Sequence, residues 1–273
     1  SGLSVITMEA EPWEKPYTEA KALEDAGDYK KACVLFERAL KLMGSSDAQL
    51  ADLLQCLGVG YDRAGDLKRA LRAFERGKPV FCEKPLGLNL GESRLMVAAA
   101  EKSGQAHMTG FNYIRTPASQ LAHQMISAGE IGDITYFRGE HTEDFLGDPA
   151  APATWRTEGD ANGTIGDLAP HMVNCALALL GPVVEVSAVI ETVYKNRPGG
   201  EVSNDDQAQM MCRFANGAMG HMFFSRVATG RKMGYAYEIH GSKGAIRFDQ
   251  EDQNAVWLYR SEGAEATRGF TKI

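Results

Sequence analysis

The stretch Val80-Phe81-Cys82-Glu83-Lys84-Pro85-Leu86, VFCEKPL, is where the texture of the chain changes. Three strand-forming residues end abruptly on an acid, a base and a proline. Proline has no N–H to continue a ladder, so the strand stops and Lys84 is left at its carboxyl end, where open α/β sheets bind their ligands. A lysine so placed can aim its ammonium at a substrate oxygen.

Upstream, to about Arg76, the sequence is rich in Ala, Leu, Lys, Glu and Asp. Its apolar residues Ala32, Leu35, Phe36, Ala39, Leu40 and Met43 recur at helical spacing, which predicts amphipathic helices. Gly27-Asp28-Tyr29, followed by Ala32, Phe36 and Ala39, is echoed by Gly65-Asp66-Leu67, followed by Ala70, Phe74 and Gly77. This self-match resembles a pair of tetratricopeptide repeats, a class that implies a peptide partner. A plain array of helical hairpins is the alternative. Residues 1–77 are accordingly expected as a helical domain and 78–273 as a second, α/β body.

Downstream of Lys78 short β-rich runs alternate with helices. Asn89-x-x-Glu92 predicts a capped helix to about Lys102, Pro117 opens another to about Ala128, and Ile134 to Glu140 reads as a strand. The run Leu168 to Leu180 is helical and stops at Gly181-Pro182. The rest alternates as a meander from Val184 to Tyr259, with a hairpin turn at Asn216-Gly217. The expected fold class is α+β, a largely antiparallel open sheet with helices on one face, whose uncovered face supports a homo-oligomer.

A second chemical constellation is Asp167-x-x-x-His171. If one helix starts near Asp167, the two side chains lie one turn apart on one face, where a carboxylate can orient an imidazole as a general base. Asp205-Asp206 reads as a solvated strand entry, and no His, Asp or Cys spacing suggests a metal. Among the other histidines, His141 precedes a loop and is a candidate substrate contact.

Taken together, GKPVFCEKPLG, GFNY, TWR and GTIGDLAPHMVNCALALLG are similar in motif and order to the glucose-fructose oxidoreductase/inositol dehydrogenase family, Gfo/Idh/MocA, over about 77–273. The resemblance implies NAD- or NADP-dependent oxidation of a sugar or cyclic polyol hydroxyl. It implies a catalytic set of Lys84, Asp167 and His171, cofactor contacts from Glu83, Lys84, Pro85 and Asn112, and substrate contacts from Tyr113, Trp155 and Arg156. Family members open on G-x-G-x-x-G, which this sequence lacks. Gly58-x-Gly60 carries Arg63 where the third glycine belongs, so weak nicotinamide binding is expected. The chain also stops at Ile273, where members run on through more sheet. A non-catalytic interaction scaffold and a rearranged fusion without its own activity are the competing readings.

Composition bounds these readings. With 273 residues, 44% hydrophobic and 24% charged, the chain can bury a sizeable core, and a formal charge of −7 disfavours nucleic acid and anionic membranes as partners. Five scattered cysteines and the lack of a long apolar run point to a reducing cytoplasm.

Overall fold

The structure is a computed structural model, and it describes residues 12–43, 80–104, 106–159, 162–262, 264–265 and 268–273. The chain divides into two compact units, Ser1–Gly110 and Phe111–Ile273.

In the first unit, α1 (Glu14–Asp25) and α2 (Tyr29–Leu42) form a helical hairpin. Gly27 turns the chain at φ 79° and Asp28 caps α2 by accepting from the Lys31 N–H at 3.3 Å. Ala20, Ala32 and Ala39 allow the helices to approach, and Trp13, Cys33 and Phe36 fill the seam, with Tyr17 packed between Trp13 and Phe36. Pro16 sits in the first turn, where its missing N–H costs nothing. One hairpin does not make a repeat stack, and the expected second copy, Leu54 to Gly77, lies outside the described residues. The tetratricopeptide reading, and the peptide partner with it, therefore has no support from these elements.

The same unit holds the parallel pair β1 (Val80–Cys82) and β2 (His107–Thr109), in register Cys82↔Thr109, with α3 (Leu90–Ser103) as the crossover. The Asn89 cap accepts from the Glu92 N–H, and the Glu92 carboxylate reaches back to the Leu88 N–H.

The second unit is built on an eight-stranded sheet of order β12-β11-β10-β9-β3-β8-β7-β4. Its strands are β3 (Ile134–Thr142), β4 (Val183–Glu191), β7 (Gln207–Phe214), β8 (Met219–Ser225), β9 (Gly234–Gly241), β10 (Gly244–Asp249), β11 (Val256–Arg260) and β12 (Thr271–Lys272), while β5 (Asn196–Arg197) and β6 (Gly200–Glu201) form a separate ribbon. The sheet is mixed rather than purely antiparallel, because β3 runs parallel to β8 and antiparallel to β9. The tight Asn216-Gly217 turn pairs β7 with β8 directly. No such turn joins β8 to β9, so β3 can enter between them.

Helices α4 (Pro117–Ser127), α5 (Thr164–Asp167) and α6 (Ala169–Leu180) complete the unit. Ala122, Met125, Met172, Cys175 and Ala176 from α4 and α6 join Phe137, Phe224, Tyr235, Ile239 and Phe248 of the sheet in one buried core. Gly139 on β3 lies under α6, where a Cβ would come within 2.7 Å of the Met172 sulfur.

Candidate active site

In the first unit, Glu83, Lys84 and Pro85 leave the carboxyl end of β1, and Lys84 is half-buried. Gly110 ends β2 beside them and donates its N–H to the Cys82 carbonyl at 2.7 Å. A Cβ on Gly110 would stand 3.0 Å from the Glu83 carboxylate oxygens, so the glycine lets that acid lie across the strand ends. This is the end of a parallel pair at which ligands bind.

In the second unit the D-x-x-x-H pair spans the junction of two consecutive helices. Asp167 closes α5, Leu168 is the junction, and His171 falls in the first turn of α6, whose Pro170 is tolerated there. Leu168 keeps right-handed helical angles, φ −90° and ψ −43°, so the helical path continues through the junction. The Asp167 carboxylate takes an ion pair from Arg156 Nη1 at 3.1 Å.

Trp155 and Arg156 sit in a 3₁₀ turn, Trp155–Thr157, closed by reciprocal bonds between Thr154 and Thr157. The Arg156 guanidinium lies 4.5 Å from the Trp155 ring centroid and 5.4 Å from that of Phe145. Beneath the turn runs a buried network that sequence reading missed. Arg226 Nε donates to Asp206 at 3.0 Å, its Nη1 to the carbonyls of Arg156 and Asn162, and its Nη2 to the Asn204 side chain. Asp206 is fully buried, which overturns its reading as a solvated strand entry. The signal was cross-strand: Gln207 pairs with Ser225, so Asp206 and Arg226 are the next positions outward.

Around His171 stands an aromatic pocket. The Tyr113 ring is 4.6 Å from His171 and stacks on Tyr235 at 4.7 Å, and Phe111 meets His171 edge-on at 6.0 Å. Burial, then the charges of Glu143 and Asp167, push the Tyr113 hydroxyl up from its ordinary range. Asn112 is exposed before this turn. His141 is 1% exposed, and both its ring nitrogens face protein acceptors. No cluster able to hold a metal occurs among the described residues.

Two family models match the chain: the oxidoreductase-family NAD-binding Rossmann fold over residues 59–111, and the GFO/IDH/MocA C-terminal domain over 119–247. The chain belongs to the Gfo/Idh/MocA oxidoreductase family. The Rossmann match begins inside the stretch first read as a second repeat, so the family portion starts upstream of Gly77. Levoglucosan dehydrogenase of Pseudarthrobacter phenanthrenivorans is 37% identical over 224 residues, 75% of this chain and 57% of that protein. Myo-inositol 2-dehydrogenase of Thermotoga maritima is 30% identical over 197 residues, 70% of this chain and 55% of its own. A solved levoglucosan dehydrogenase in complex with NADH and L-sorbose superposes with a TM-score of 0.72 at 37% identity, covering 77% of this chain and 57% of that one. The chain thus spans somewhat over half the length of these relatives.

Proposed function

We propose that this chain works as an NAD- or NADP-dependent dehydrogenase of a secondary hydroxyl on a sugar, anhydrosugar or cyclic polyol. The observation that carries this reading is His171 in the first turn of α6, set against Tyr113 with the Asp167–Arg156 pair at the preceding helix end. His171 accepts the hydroxyl proton, and Lys84 stabilises the oxygen as negative charge builds on it. Asp167, fixed by Arg156, orients the site. Aromatic faces at Tyr113 and Trp155 suit the C–H faces of a sugar ring, while Arg156 suits its hydroxyls. The names of the relatives, which include levoglucosan and inositol dehydrogenases, support this substrate class.

A bound nicotinamide cofactor supplies the hydride acceptor. Glu83, Lys84 and Pro85 at the strand ends of the first unit, and Asn112 in the second, are the residues that the family resemblance would assign to holding it. The sequence offers no G-x-G-x-x-G turn for the pyrophosphate, and the Gly58-x-Gly60 run lies outside the described residues. Cofactor affinity is therefore expected to be micromolar or weaker. Titrating NADH and NADPH by nicotinamide fluorescence, with levoglucosan and inositols then offered to the oxidised cofactors, tests both points. Weak binding with turnover of one such polyol is expected. Sub-micromolar binding would contradict the weakened cradle, and no turnover at saturating cofactor would favour the scaffold reading.

Self-association belongs to the same proposal. The edge strand β4 exposes Val186 and Ile190 on one face and Val189 on the other, with Met211 of β7 on the Val189 side, and such apolar area at a sheet edge favours burial against a second copy. Sedimentation is expected to show a dimer or larger species, and a monomer at micromolar concentration would contradict it. The buried cysteines Cys33, Cys82, Cys175 and Cys212 suit a reducing compartment such as the cytoplasm. No described helix is long and apolar enough to cross a membrane.

A further inference from the structure

The proposed chemistry gives no role to His141, although its ring lies 5.6 Å from that of His171 and edge-on to Tyr113 and Tyr235, both at 5.4 Å. Its Nδ1 is 3.0 Å from the Leu168 carbonyl oxygen. A carbonyl can only accept, so Nδ1 carries a proton and donates it. Its Nε2 lies 3.2 Å from Glu143 Oε1. A neutral imidazole protonated on Nδ1 would turn a bare lone pair on Nε2 against a carboxylate, an arrangement that burial makes costly. One more proton therefore lies between Nε2 and Oε1, whichever atom holds it.

The surroundings leave that proton to the pair. Arg156 is engaged by Asp167, Arg231 by Glu140 and Glu251, and Lys232 by Asp144. Among the described residues the ion pair of Glu143 is with His141 alone. The titratable groups that face the pair are His171 from α6, Tyr113 from the turn before α4, and Tyr235 from β9. Asp167 acts with Glu143 on the Tyr113 hydroxyl, which burial already raises. The backbone of Glu143 is itself pinned, donating to the Ser225 carbonyl at 2.8 Å and accepting from the Ala228 N–H at 3.0 Å.

Leu168 is the residue at which α5 gives way to α6, between Asp167 and His171. We propose that His141 and Glu143 form a proton-sharing strut that positions His171, by holding the Leu168 carbonyl at the junction of α5 and α6. The role of His171 as the base rests on the proposed function; the strut itself does not. The strut joins the end of β3 to Leu168, the residue between α5 and α6. His141 is a positioning residue, acting through Leu168 and through the ring contact rather than on substrate. The Leu168 carbonyl fixes the proton on Nδ1, and Glu143 holds the second one at Nε2.

The test combines imidazole nitrogen–proton correlation spectra of the full chain with steady-state kinetics, using His141→Gln to assign the His141 signals. In the wild type the spectra should show a slowly exchanging Nδ1–H on His141 and a proton shared at Nε2. In Glu143→Gln the Nδ1–H should persist while Nε2 becomes a bare acceptor for the new amide, and kcat should fall, but by less than in His141→Ala. His141→Ala removes the strut and should lower kcat by about 10- to 100-fold with little change in KM, because a small misplacement of the base affects the transition state more than binding. A His141 protonated only on Nε2 would overturn the proposal, as would wild-type kcat in His141→Ala. Failure of the wild type to oxidise any polyol would instead strike the proposed function, while the spectra still decide the strut.

Discussion

Lys84 and His171 divide the proposed chemistry between a cation that stabilises oxygen and a base that takes its proton, so each can be removed separately. Lys84→Ala and His171→Ala should each lower turnover by about 10² to 10⁴-fold with a smaller change in KM, read from steady-state reduction of the cofactor. Their places in the secondary structure were legible because short local patterns set them: a strand stopped by proline, and a proline-marked helix start. Asp206 was misread because its burial is set by a distant partner, Arg226. Cys175 adds a pH prediction. Full burial pushes its thiol up to about 12, from 9.0. Between those values the unfolded chain releases this proton while the folded chain keeps it, so stability should fall as pH rises through that window. Burial raises the Tyr235 and Tyr237 hydroxyls as well and extends the trend upward. Denaturation midpoints that stay level from pH 9 toward 12 would contradict this.

The elements that position the site are β3 and the α5–α6 junction. Gly139 lets α6 descend on β3, and an added Cβ would meet Met172 Sδ at 2.7 Å and Phe137 Cε1 at 2.8 Å. Gly139→Ala should therefore cost about 1–3 kcal/mol in urea unfolding and disturb His171 through its neighbour Met172. An unchanged midpoint would show that α6 is free to shift. Helix starts at Asn89 and Pro117 and the Asn216-Gly217 hairpin could be read from sequence, since caps and turns are local chemistry. The insertion of β3 between β8 and β9 could not. Strand neighbours separated by a long connection are chosen by packing, and nothing in the Ile134 to Thr142 stretch encodes its partner at Met219 to Ser225.

For the whole molecule, the α+β class and the family were legible from motif order, while the repeat-like reading of the N-terminal segment was not upheld. Helical spacing with small residues specifies a close-packed hairpin, which α1 and α2 form, but it does not specify a stack. The Rossmann model over 59–111 and the C-terminal-domain model over 119–247 place the family portion across both units. The account stands or falls on whether this chain oxidises a polyol hydroxyl through His171. The most direct measurement is the initial rate of NAD⁺ or NADP⁺ reduction with levoglucosan and inositols at saturating cofactor, for wild type and for His171→Ala shown by circular dichroism to be folded. The account predicts wild-type turnover of at least one of these polyols and a loss of about 10² to 10⁴-fold in the variant. Equal rates in the two proteins would contradict it.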